Sequence, residues 1–298
     1  MYKRQFQYYS REMNAASMQR LKLESGLRHA LDAQQFELHY QPQVEMDTGR
    51  IIGAEALLRW RDQEGNYVSP GTFISIAEDS GLIVRLGEWV IRESCRQALE
   101  WQRAGLAPPP ISVNVSAVQF RRQNLAAVIG NALREHGIDA RLLKIEITES
   151  SLMSVREAGT RVLHELRGMG VEVSLDDFGT GYSSLSYLRT FPVDMLKIDR
   201  SFIAAMLHDE KTAAVIEAII NVTRVLRMKV LAEGVERQEQ FDYLRGLGCD
   251  FVQGAFISHA LSAAEFGRLL AARRRAGNPR PARPAGPPPA RTVANPRR

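Results

Sequence analysis

Apolar residues recur along this chain in two rhythms, and the way the rhythms alternate predicts the architecture. Short runs rich in Val, Ile and Leu read as strands: FELHYQPQV (36–44), IIGAEALLRW (51–60), ISVNVS (111–116), LLKIEITES (142–150), VEVSLDDF (171–178), MLKIDR (195–200), KVLAEGV (229–235) and FVQG (251–254). Longer stretches with apolar residues at helical spacing lie between most of them, among them PGTFISIAEDSG, VRLGEWVIRESCRQALEWQRAG, QNLAAVIGNALREHG, VREAGTRVLHELRGMG, DEKTAAVIEAIINVTRVLRM and ERQEQFDYLRGLG. Several close on glycine, which readily adopts the left-handed turn that stops a helix. Eight strands with intervening helices over about 240 residues predict an α/β fold, a TIM-like (β/α)8 barrel. The first pair breaks the pattern. Only DTGR separates the first two strands, whereas a parallel pair needs a crossover of about a dozen residues. An irregular antiparallel first strand is therefore expected.

Three segments follow: 1–33, 34–272 and 273–298. In the first, MYKRQFQYYS carries aromatics mostly at alternating positions and reads as the last strand of a sheet that is missing. A helix is expected from about Ala15 to Ala33, with Leu21, Leu23, Leu27 and Leu31 inside it. The last segment holds eight arginines, no acids and seven of the 13 prolines. It has little to bury and is expected to be a disordered, polyproline-like tail.

That tail changes the meaning of the charge. The chain of 298 residues has a net charge of +5, but the eight tail arginines leave residues 1–272 at −3. The body is mildly acidic, so no DNA or RNA binding is expected. The hydrophobic and charged fractions, 45% and 24%, are ordinary for a globular protein. No run of about 18 apolar residues suggests a membrane span, and no secretory signal opens the chain. Two isolated cysteines, Cys95 and Cys249, suit a reducing compartment.

Candidate chemistry gathers where barrels place it, at the C-terminal ends of strands. Successive strands carry Glu55, Asn114, Glu146 with Glu149, Asp176 with Asp177, Lys197 with Asp199, Glu233 with Glu236, and Gln253. One buried carboxylate can be a structural ion pair, but a rim of them from successive strands is hard to explain that way. Oxygen donors without His or Cys point to Mg²⁺, Mn²⁺ or Ca²⁺ rather than Zn²⁺. Two adjacent aspartates can serve two ions, an arrangement suited to displacement at phosphorus. Lys197 can hold a nucleophile or neutralise developing charge, or it can simply pair with the carboxylates. The six histidines show no metal spacing.

EALLRW (55–60), NVS (114–116), EITES (146–150), DDFGTGYSSLSYL (176–188), KIDRSF (197–202), AEGVE (232–236) and QG (253–254) together resemble the EAL family of cyclic-di-GMP phosphodiesterases, from about Gln34 to Glu265. Residues 1–33 resemble the end of a GGDEF (diguanylate cyclase) domain and its linker helix. The resemblance implies a longer parent with upstream GGDEF and sensor domains, a cytoplasmic setting in a parent that can be anchored to a membrane, and a homodimer. It implies two Mg²⁺ or Mn²⁺ ions held by Glu55, Asn114, Glu146, Asp176 and Asp177. Lys197 and Glu233 match residues that hold the attacking water, and Glu149 matches one that braces the Gly-rich loop after the fifth strand. Gln41, Arg59, Asp199, Glu236 and Gln253 match positions on the substrate side. The implied activity is hydrolysis of cyclic-di-GMP to linear pGpG, and the alternative is a silent domain that binds the nucleotide as a sensor. One departure is visible: in GAFISHAL, His259 and Ala260 stand where a basic residue and proline are common in the family.

Overall fold

The computed structural model describes residues 3–33, 35–62, 64–179, 188 and 190–275. Its strands are β1 (Phe36–Glu45), β2 (Ile51–Arg61), β3 (Tyr67–Val68), β4 (Ile111–Asn114), β5 (Leu143–Thr148), β6 (Glu172–Phe178), β7 (Met195–Ile198), β8 (Lys229–Ala232), β9 (Phe251–Val252) and β10 (Leu261–Ser262). Eight of them close a barrel in the circuit β1–β2–β4–β5–β6–β7–β8–β9 and back to β1. Neighbours are parallel from β2 through β4 to β9. β1 runs antiparallel to both β2 and β9, as the short DTGR connection requires. The two-residue strands β3 and β10 extend β2 and β1 outside this circuit.

The helices that the site and the core use are α1 (Lys3–Asp32), α2 (Pro70–Ser80), α3 (Ile83–Arg103), α4 (Ala117–Arg122), α5 (Leu125–His136), α6 (Glu149–Met169), α7 (Arg200–Ala205), α8 (Glu210–Val225), α9 (Gln238–Leu247) and α10 (Ala263–Arg275). The longer helices between strands turn apolar residues toward the sheet. In α3 these are Leu86, Val90, Ile91, Cys95, Ala98 and Trp101, at the three- and four-residue steps that share one face. Left-handed glycines at 81, 137, 170 and 248 end α2, α5, α6 and α9, at the stops expected from the sequence.

The strands read over 111–116, 195–200, 229–235 and 251–254 end earlier, at Asn114, Ile198, Ala232 and Val252, the second because Asp199 caps α7. Three further expectations change. Residues 3–32 form one helix, so the strand read into MYKRQFQYYS is overturned. A few alternating aromatics do not outweigh a segment rich in Lys, Arg, Gln and Glu, and the segment pairs with no strand of the sheet. The strand read over 142–150 stops at Thr148, whose side chain accepts the Ser151 amide and caps α6, so Glu149 opens a helix. At the other end, α10 runs to Arg275. Arg273 donates to the Gly49 carbonyl at 2.8 Å, so the first residues of the expected tail belong to the barrel. Residues 276–298 and 180–187 lie outside the described residues, as do the expectations about tail disorder and the Gly-rich loop.

Candidate active site

The barrel interior is where the sequence places polar groups and the fold forces them together. Side chains alternate across each strand, so Glu55, Asn114, Glu146 and Asp176, from four adjacent strands, reach one level. Lys197 enters that level from β7 and is wholly buried, with 0% exposure. Its Nζ lies 2.5 Å from Glu146 Oε2, 2.5 Å from Glu233 Oε1, 3.1 Å from Asp176 Oδ2 and 3.7 Å from Glu55 Oε2. Asp177 follows at the rim with φ of 54°, a left-handed conformation that few residues other than Gly, Asn and Asp accept.

The electrostatics follow from burial and crowding. Burial raises Glu146 to about 7, with Glu55 and Asp176 adding to the rise and Lys197 opposing it. Burial likewise pushes Glu233 well up. Burial, with the charges of Asp176 and Asp199, raises Asp177. Glu55 moves the other way, because Lys197 and hydrogen bonds from Gln253 and Asn114 outweigh its burial. Burial alone would lower Lys197, but Asp176, Glu146, Glu233 and Glu55 overcome it and hold the ammonium charged.

Glu55 is the most firmly held of the carboxylates. Asn114 Nδ2 donates to its Oε1 at 2.8 Å, and Gln253 Nε2 donates to its Oε2 at 2.5 Å. Gln253 also donates to Gln41 Oε1 at 3.1 Å, and Gln41 donates to the Ser258 carbonyl at 3.0 Å. Gln253 thus meets Glu55 directly, Gln41 is linked to it through Gln253, and the two amides tie the segment after β9 to β1. The Gly179 amide donates to Glu149 Oε2 at 3.4 Å, the contact a brace at the end of β6 needs. The remaining sequence candidates find hydrogen-bond partners outside the cluster, although the charge of Asp199 reaches Asp177. Asp199 caps α7 by accepting the Ser201 amide at 3.0 Å, and Glu236 is exposed. Arg59 donates to the Leu58 carbonyl at 3.0 Å and forms no ion pair among the described residues. It edges a cavity of about 530 Å³ that reaches Asn114 and Glu146 and is floored by Leu58, Ile74 and Ile83.

The family model described as EAL domain matches residues 24–260. The chain belongs to the EAL domain family. This EAL domain is 44% identical over 256 residues to the bifunctional diguanylate cyclase/cyclic di-GMP phosphodiesterase MucR of Pseudomonas aeruginosa, covering 86% of the chain and 37% of that protein. It is 40% identical over 268 residues to the cyclic di-GMP phosphodiesterase NbdA of the same organism, covering 90% of the chain and 34% of that protein. The chain therefore spans about a third of the length of these relatives. Among solved structures, the PaMucR phosphodiesterase in complex with c-di-GMP superposes with a TM-score of 0.79 at 44% identity, covering 82% of the chain and 99% of that one.

The donor chemistry of the EAL domain suits hard divalent cations: every ligand candidate offers oxygen. Five carboxyl groups face one ammonium, and when all are ionised they carry an excess of four negative charges. Among the described residues no three carboxylates converge closely enough to enclose an ion as they stand; the atom on which they converge is Lys197 Nζ. One polar residue in the EAL domain escapes the motifs. Gln43, on β1 and 0% exposed, donates from Nε2 to Glu146 Oε1 at 3.3 Å. Strand alternation carries the signal, since residues two apart share a face and Gln41 already points inward.

Proposed function

We propose that this EAL domain is a metal-dependent phosphodiesterase that hydrolyses cyclic-di-GMP to linear pGpG. The observation that carries the reading is the buried cluster itself. Carboxylates from three strands, β2, β5 and β6, and the segment after β8, opposed among the described residues by Lys197, would when ionised leave a charge that two divalent cations balance. The named activities of relatives at 40–44% identity support the substrate. Glu55, Asn114, Glu146, Asp176 and Asp177 would hold two Mg²⁺ or Mn²⁺ ions, which when bound would supply positive charge to the phosphoryl oxygens of the diester.

The other residues do the positioning and the proton transfer. Arg59, at the edge of the cavity, offers a guanidinium fork to the phosphate. Lys197 and Glu233, in direct contact at 2.5 Å, would together orient the attacking water beside them. Glu233, in its ionised form, takes the proton of that water as its oxygen bonds to phosphorus. The bond from phosphorus to the ribose 3′ oxygen breaks, that oxygen leaves as a hydroxyl with a proton from solvent, and the 5′-phosphorylated linear dinucleotide is released.

Incubation of the purified chain with cyclic-di-GMP and Mg²⁺ or Mn²⁺, followed by chromatography, is expected to yield pGpG. Lys197→Ala and Glu233→Gln are each expected to lower kcat at least about tenfold while cyclic-di-GMP binds within a few-fold of wild type, because their contacts strengthen in the transition state. Nucleotide binding without any pGpG from the wild-type chain would instead make the domain a sensor.

A further inference from the structure

We propose that Gln43 is a positioning residue for Glu146 and, resting on the metal-dependent reading above, that it sets the affinity of the site for its divalent ions. Glutamate carboxylates rotate easily about their last torsion. An oxygen aimed at a cation stays aimed only if the other oxygen is held. Glu146 meets this condition: Oε2 faces Lys197 at 2.5 Å, and Oε1 accepts from Gln43 Nε2 at 3.3 Å.

The local backbone is built to deliver that amide. Gln43 sits where the β1–β2 register slips, opposite Gly53, while its neighbour Val44 pairs with Ile51. The extra residue, Ile52, lies on β2, so that strand bends beside Gln43. Gly53 leaves the necessary room, since a Cβ there would fall 2.3 Å from Gln43 Oε1 and 3.3 Å from its Cδ. Gln43 Oε1 has no hydrogen-bond partner. A leucine would fill the same volume without desolvating an amide, so filling space does not account for the glutamine. Donating to Glu146 does. The antiparallel first strand thereby gains a use: it brings a donor to the carboxylate level that none of the parallel strands supplies to Oε1.

Calorimetric titration of the metal-free full chain with Mn²⁺, without nucleotide, tests this. Gln43→Leu is expected to weaken Mn²⁺ binding about 10–100-fold, the usual effect of removing a group that orients a metal ligand. Its metal-free melting temperature should stay within a few degrees of wild type, and its KM for cyclic-di-GMP at saturating Mn²⁺ should be unchanged. Gly53→Ala should weaken Mn²⁺ binding in the same direction by displacing Gln43, and should add nothing in a Gln43→Ala background. Wild-type affinity in Gln43→Leu would overturn the inference, as would an equal loss from Gly53→Ala with and without Gln43. If Gln43→Leu does not fold, the Gly53→Ala and Gln43→Ala pair decides alone. A wild-type chain that binds no Mn²⁺ would overturn the metal reading and this inference with it, whereas the first two outcomes overturn the inference and leave that reading standing.

Discussion

Lys197 stands among more negative charge than one ammonium neutralises, and the imbalance has a thermodynamic signature. Glu146 is raised by burial from its ordinary 4.5 to about 7, and Glu233 moves the same way. Between those pH values the folded chain keeps protons that the unfolded chain has released, so stability falls as pH rises through the window. At about 1.4 kcal/mol per pH unit, Glu146 alone contributes up to about 3 kcal/mol. Glu55, lowered in the fold, acts oppositely: its share is present above its ordinary range and lost as pH falls below it. In EDTA the melting temperature is expected to be several degrees lower at pH 8 than near pH 6, and Mg²⁺ at pH 8 should restore most of the loss. Thermal melts at the two pH values check this, and a flat profile in EDTA would contradict it. Lys197→Met should destabilise the metal-free chain by about 3–5 kcal/mol in urea titrations, because the buried carboxylates would lose their counter-charge.

At the level of elements, α1 is held by a few buried contacts rather than by its surface charges. Leu27 and Ala30 are wholly buried in an apolar cluster with Phe36, Trp60, Phe73 and Leu86. The Arg20–Asp79 and Arg85–Asp32 pairs are solvent-exposed. Leu27→Ala is expected to cost about 2–5 kcal/mol in urea unfolding, and Arg20→Ala less than about 1 kcal/mol. The contrast also shows what a reader of the sequence can see. The eight barrel strands were legible because each is a compact apolar run, and the reversed β1 followed from one short turn. The ends were not. Alternating aromatics near Tyr8 suggested a strand where a helix runs. The two-residue strands at Tyr67–Val68 and Leu261–Ser262 exist only because β2 and β1 present edges to them. Within the site, the motifs named the carboxylates and Lys197. They could not say that Gln253 spends its amide on Glu55 and Gln41, since those contacts join strands distant in the sequence. Gln43 lies outside every motif, and only its place two residues from Gln41 marks it as inward-facing.

For the molecule as a whole, the described structure ends with a helix that is tied down. Truncation after Arg275 is expected to leave the melting temperature unchanged. Truncation after Ala272 should lower it measurably, since it removes the Arg273 bond to the Gly49 carbonyl and the Arg274 bond to the Gly105 carbonyl; scanning calorimetry on the two truncated chains checks both. Closure of the barrel has a consequence for how the chain is made. β1 takes its partners from both ends of the body: β2 follows it at once, but Val44 also pairs with Val252. On a ribosome adding roughly 5–20 residues per second, β1 and β2 emerge on the order of ten seconds or more before β9. Until then the growing sheet has an open seam at β1, with unpaired backbone groups of the kind that recruit foreign strands. The pairing of β1 with both β2 and β9 thus makes completion of the barrel a late event in synthesis.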